Sequence, residues 1–156
     1  MTAIALTIDT RAVDQLLRRA DAELRADILA DALLAGGRIV AAEAAVKAPK
    51  RTGRLAAALD AEISVREDTV AEVDIGFVAG TNVAFIGRFQ EFGVAPHELA
   101  TGRRVARLAE RGRSPGFHPG HPAQPFLTPA LEERAEDVQR ELREDIRRRV
   151  DALGHG

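Results

Sequence analysis

The stretch Ala48-Pro49-Lys50-Arg51-Thr52-Gly53-Arg54-Leu55 decides how the chain is divided. Pro49 pushes the residue before it out of the α region and so ends the helix that arrives there. Gly53 supplies a positive φ or a tight approach, and Leu55, Ala58 and Leu59 suggest a short amphipathic turn entering a sheet. The period then changes. Ala61, Ile63 and Val65 alternate with Glu62, Ser64 and Arg66, as in a half-buried strand. Glu67-Asp68-Thr69 reads as a hairpin turn, after which Ala71, Val73, Ile75 and Phe77 alternate with Glu72, Asp74 and Gly76 as a second strand. Gly80-Thr81-Asn82 marks another turn. A third strand is expected from Val83 to about Phe92, where Phe85, Phe89 and Phe92 break strict alternation and predict a bulge near Gly87. The expected unit is a small antiparallel meander with one face on a helix.

That helix lies upstream. Asp9 is a candidate N-cap for a helix beginning at Thr10, with Ile8 and Val13 placed as a hydrophobic staple. Val13, Leu16, Leu17, Ala20, Leu24 and Ile28 recur at three and four. Beyond Ile28 the apolar surface widens into two stripes: Ala32, Ala35, Ile39 and Val46, and Leu29, Leu33 and Val40. A helix apolar on two sides needs two covers. One cover is the chain's own sheet; the other is a second helix or a neighbouring subunit. Gly36-Gly37 in mid-pattern should cost about 2 kcal/mol relative to Ala-Ala, which predicts a kink or a very close contact with another backbone.

Downstream of Val94 a long segment to Pro122 is rich in Gly, Pro, His and Arg. Across 103–113, Arg103, Arg104, Arg107, Arg111 and Arg113 stand against a single acid, Glu110. Val105 and Leu108 suit a short helix capped by Thr101. A loop of that length is either functional or disordered. Its functional reading is contact with nucleic acid, because phosphate neutralisation needs only clustered Arg; its plain reading is a solvated or subunit-contacting loop. His118-Pro119-Gly120-His121 spaces two imidazoles for one ion, yet no cysteine or nearby carboxylate completes a site, so no metal and no other cofactor is expected. The last helix starts near Pro125, or later with Thr128 as N-cap and Pro129 at N1. Leu131, Ala135, Val138, Leu142, Ile146, Val150 and Leu153 then make one seam on an otherwise charged helix, with Glu141, Asp145, Arg143 and Arg147 expected on its exposed sides. Such a helix docks along another helix, here the first one; a coiled-coil dimer is the alternative. Gly154-His155-Gly156 is expected to fray.

Composition limits the function. The chain has 156 residues, a formal net charge of −2 and no cysteine. It fits a single domain spanning 1–156, with the long loop at about 94–122. Near-neutral charge argues against bulk attraction to nucleic acid or anionic lipid. Without cysteine there is neither a disulfide framework nor a thiolate zinc site. The N-terminus lacks the basic region and apolar run of a signal peptide. The most apolar window, Ile28 to Val46, carries Asp31, Arg38 and Glu43, so it reads as a helix buried in protein and no membrane partner is expected. Six Phe without Trp or Tyr leave little for base stacking.

Three blocks taken together, the Pro49–Leu55 segment, Glu91-Phe92-Gly93, and Pro125-Phe126-Leu127-Thr128-Pro129-Ala130-Leu131, resemble the neck and tail-component family of tailed bacteriophages. Members of that family read roughly P-x-x-T-G-x-L, then E-F-G, then P-F-L-x-P-A-L. The residues that carry the resemblance are Thr52, Gly53, Leu55, Glu91, Phe92, Gly93, Pro125, Phe126, Leu127 and Leu131. Phe85 fills an aromatic slot of the family; Val94 stands where relatives usually have Thr, and Arg51 where many have an acid. The resemblance implies an α+β subunit, with a long N-terminal helix and a C-terminal helix packed on a small antiparallel sheet. It further implies a structural virion protein at the head–tail junction or tail end, made in the host cytoplasm and forming a ring, sixfold by implication. Its partners would be copies of itself, connector or head-closure proteins and tail-tube proteins, with channel DNA as a non-specific contact. His-Pro-Gly before the Pro-Phe-Leu block is common in the family and favours a structural turn.

No residue carries a readable chemistry. Phosphate loop, nucleophile elbow and zincin motifs are all missing. Glu91 between two Phe lacks a second carboxylate or histidine at useful spacing for general acid–base work. A buried or interfacial salt bridge with Arg54 or Arg88 is the expected use. The rivals to the virion reading are a nucleic-acid-binding module using Arg103 to Arg113, and a small hydrolase using Glu91 with His118 or His121.

Overall fold

A computed structural model of the chain describes residues 21–67, 70–77, 83–98 and 117–153. The first described helix, α1 (Ala22–Lys47), is apolar on two sides, and both are covered. Its start is set by Asp21, an extended residue whose side-chain Oδ1 accepts from the Leu24 N–H at 2.9 Å. The helix therefore does not run unbroken from Thr10 as the periodicity suggested; a capping aspartate interrupts it. The expectations at Asp9, Ile8 and Val13 lie outside the described residues. The helix ends at Lys47, where Ala48 still donates to the Ala44 carbonyl and Pro49 follows.

A single turn, α2 (Arg54–Ala57), opens on Gly53, whose φ of 68° is left-handed, as the sequence suggested. Strands β1 (Leu59–Arg66) and β2 (Ala71–Phe77) pair antiparallel, from Leu59 opposite Phe77 to Arg66 opposite Ala71, with an irregularity between Ile63 and Val65. Glu67 and Val70 exchange backbone bonds at the turn, while Asp68 and Thr69 lie outside the described residues. The inward residues Ala61, Val73 and Ile75 pack on α1.

Val83–Phe92 is helical, α3, and the expected third strand and its bulge at Gly87 do not exist. The spacing explains why. Val83, Gly87 and Glu91 recur every fourth residue and are the buried positions, while Phe85, Phe89 and Phe92 follow the same helical period on the other side. Gly87 receives the ring of Phe77: a Cβ there would lie 2.0 Å from the ring. Among the described residues the sheet thus has two strands. The Gly80-Thr81-Asn82 turn is outside the described residues. After α3, β3 (His97–Glu98) pairs with β4 (Phe117–His118), and a bridge joins Val94 to His121.

The last helix, α4 (Leu127–Leu153), lies along α1. The order of layers is hairpin, α1, α4, so α1 is the central element. The two glycines make this spacing possible. A Cβ on Gly37 would meet Val73 Cγ1 at 2.8 Å on the sheet side, and one on Gly36 would meet Val138 Cγ1 at 2.8 Å on the α4 side. The close contact expected at this pair is therefore mainly with side chains. Val138, Leu142, Ile146 and Val150 are buried, as the seam predicted, and α4 is the second cover for α1. Each fully buried side chain of this kind contributes about 1.5–3 kcal/mol. Asp145, expected on an exposed side, is buried instead; Arg148 at 2.8 Å and Arg149 at 2.7 Å neutralise it, and Arg149 also reaches Asp31 of α1 at 3.0 Å. Further along, Arg134 of α4 bonds Glu43 of α1 at 2.6 Å and Lys47 pairs with Glu133 at 2.8 Å. The class is α+β. Among the described residues no helix is long and apolar enough to cross a membrane.

Candidate interaction surface

Glu91, on the buried side of α3, organises the motif-bearing part of the chain. Its Oε2 accepts from the N–H groups of Phe126 at 2.7 Å and Leu127 at 2.9 Å. Its Oε1 accepts from the Thr128 N–H at 2.9 Å and the Thr128 hydroxyl at 2.8 Å. These are the first free N–H groups of α4, the end where a helix presents positive charge and unpaired donors. The cap of α4 is thus a carboxylate from 35 residues upstream. The expected salt bridge to Arg54 or Arg88 is not formed. Backbone donors take that place, so the residue needs no cation beside it. Thr128, proposed as the cap, sits inside the first turn and shares the same carboxylate. Burial pushes the Glu91 carboxyl up, but the four donors outweigh it and hold it below the ordinary glutamate value.

The surrounding backbone fixes the latch. Gln124 N donates to Gln90 O at 2.7 Å, and Val94 and His121 exchange N–H···O bonds at 2.9 and 3.0 Å. Gly93 and Gly120 are left-handed, and a Cβ on Gly93 would lie 2.7 Å from Ala123 N. Phe126 is completely buried, with its ring edge-on to Phe77 at 6.2 Å, and Leu127 is buried beside it. The Glu91-Phe92-Gly93 block and the Pro125-Phe126-Leu127 block are therefore one structural unit. Leu131 is half-buried against the main core, Leu55 is inside it, and Thr52 and Pro125 are exposed.

With both oxygens engaged by backbone, Glu91 has no free lone pair directed at a substrate. His118 Nδ1 accepts from Gly120 N at 3.0 Å, its ring stacks on His97, and His121 Nδ1 lies 3.0 Å from the Pro122 carbonyl. The imidazoles of the His-Pro-Gly-His segment hold a turn. Among the described residues no cluster of His, Asp and Glu is arranged to hold a metal. Arg103, Arg104, Arg107, Arg111 and Arg113, with the helix expected at Thr101, lie outside the described residues.

The outer side of α3 is the feature that strand reasoning missed. Phe85 is 67% exposed, Ile86 47% and Phe92 57%. Phe89 is half-buried, its ring edge-on to Phe85 at 4.2 Å. With Phe92 they form a stripe at i, i+4 and i+7, and exposed Arg88 lies beside it. The signal was present in the sequence as the spacing that spoiled strand alternation. Exposed apolar side chains grouped in this way make this side of α3 a candidate contact surface.

No curated protein and no solved structure matches the chain. Residues 11–93 match the family described as "Bacteriophage HK97-gp10, putative tail-component". The match spans α1, the hairpin and α3, ends at Gly93 beside the Glu91 latch, and covers more than half of the sequence. The chain belongs to the HK97-gp10-like family of bacteriophage tail components.

Proposed function

We propose that the protein is a structural component at the head–tail junction or tail end of a tailed phage or prophage, where copies form a ring of six that joins or completes the tail. The observation that carries this reading is the exposed phenylalanine stripe of α3 in a chain of a tail-component family. Among the described residues the inner side of α3 is already in the core, which leaves the exposed Phe85 and Phe92 rings available to a partner. The work is docking and sealing, not catalysis: Glu91 is spent on the cap of α4 and the histidines on a turn. Partners on this reading are copies of the chain, connector or head-closure proteins and tail-tube proteins, with channel DNA as a non-specific contact. The arginines of the nucleic-acid-binding alternative, Arg103 to Arg113, lie outside the described residues.

Native mass spectrometry and electron microscopy of the purified protein, alone and with tail tubes of its phage, test this. Rings, free or on tube ends, are expected. A protein that stays monomeric and unattached in every mixture rules it out.

A further inference from the structure

Charge on the hairpin says what meets the α3 stripe. Asp60, Glu62, Glu72 and Asp74 all lie on the face of β1–β2 turned away from α1, and the register sets Glu62 directly opposite Asp74. Like charges facing each other across a strand pair are destabilising. None of Glu62, Glu72 and Asp74 pairs with a base among the described residues, whereas Arg66 on the same strand is taken by Asp27 and Asp31 of α1. Val70 is exposed at the tip of this acidic hairpin.

The corner where α2 packs against α3 has the opposite character. Lys50, Arg51 and Arg54 are exposed around α2, Arg88 is exposed on α3, and none of them forms an ion pair among the described residues. The Phe85–Phe89–Phe92 stripe lies on α3 itself. One face is acidic with an apolar tip; the other is basic with an apolar stripe. They belong to different elements, and where each copy offers one face to one neighbour and the other face to the next, the contact is head to tail and generates a ring when the rotation closes.

We infer that the α2–α3 corner of one copy receives the outward face of the β1–β2 hairpin of a second copy, with the bases against the acids and the phenylalanine stripe against the hairpin. The inference rests on the ring reading above and names its contact. Charge complementarity across it fixes the register and rejects the like-to-like, two-fold arrangement, in which acid would meet acid.

The test is a charge exchange in the full chain, read by native mass spectrometry and sedimentation. One variant carries Glu62→Lys with Asp74→Lys, the other Arg54→Glu with Arg88→Glu. Arg54, Glu62 and Arg88 are exposed, Asp74 is half-buried on the outer face, and none of the four is in an ion pair among the described residues, so circular dichroism and melting should match the parent. Each variant alone should self-associate at least about tenfold more weakly. An equimolar mixture should recover assembly as an alternating, even-numbered ring, since each contact then again joins acid to base. Assembly unaffected by either variant, or lost in both and not restored by mixing, overturns the proposed contact while leaving the ring reading standing. Variants that still assemble but no longer attach to tail tubes also overturn it, because the occupant is then another virion protein. A parent chain that never assembles removes both readings.

Discussion

At the scale of single residues, Glu91 shows how a charged side chain is buried at a net gain. Removing it strands the N–H groups of Phe126, Leu127 and Thr128, and Glu91→Ala is expected to cost about 3 kcal/mol in urea denaturation. Glu91→Gln keeps the shape but turns an amide NH2 toward backbone donors, and should cost about 2 kcal/mol. Melting indistinguishable from the parent would mean the cap contributes nothing. The pH dependence has a definite sign. The folded-state pKa is depressed, so the unfolded chain binds the proton first as pH falls. The contribution is complete above the ordinary glutamate value of about 4.3, and is lost as pH drops through that value and on through the folded one. Melts from pH 7 to 3 should show the gap between parent and Glu91→Gln closing only at the acid end. The importance of Glu91 was legible from its setting between two phenylalanines, but its partner was not. A salt bridge was the expectation because side chains are visible in a sequence, whereas the free N–H groups of a helix start are not.

At the scale of elements, α1 and the hairpin were readable because their apolar residues are periodic over long runs. Val83–Phe92 was misread because its ten residues follow two strands and contain three Phe, which invites a third strand. The every-fourth-residue burial of Val83, Gly87 and Glu91 decides otherwise. The glycine pair in α1 yields a sharper prediction. Gly36→Ala would gain about 1 kcal/mol of helix propensity, yet its Cβ meets the stiff Val138 at 2.8 Å, so a net loss of about 1–3 kcal/mol is expected. Val138→Ala removes that obstacle. In a double-mutant cycle the pair should be more stable than the two single changes summed, and additivity would show that α1 and α4 have room to shift. Phe126→Ala, which empties a fully buried site between β2 and α4, should cost about 3–5 kcal/mol.

At the scale of the whole molecule, the layer order makes α1 dependent on both ends of the chain. We propose that the described elements fold as one unit. A chain truncated after Gly93, where the family match ends, bares the side of α1 that holds Ile28, Leu29 and Ala32. It should aggregate or bind hydrophobic dye, and a sharp cooperative melt from that fragment would contradict the proposal. The outer stripe behaves in the opposite way. Phe85→Ser with Phe92→Ser should leave melting within about 0.5 kcal/mol, because both rings are exposed, and should still weaken self-association. Loss of folding in that variant would place the stripe in the core. The outline of helix, hairpin and helix could be drawn from the letters alone. The contact surface could not, because it depends on which side of a short helix faces out.

The carboxylate that fastens α3 to the root of α4 also has a mechanical meaning. Helix α4 has 27 residues and is a rod about 40 Å long, anchored at its start by a side chain of the very helix that carries the outward rings. A tug on those rings cannot slide α3 without either dragging the rod or tearing its anchor loose. Strain arriving at that edge of the subunit is thereby delivered to the start of the helix that packs along α1.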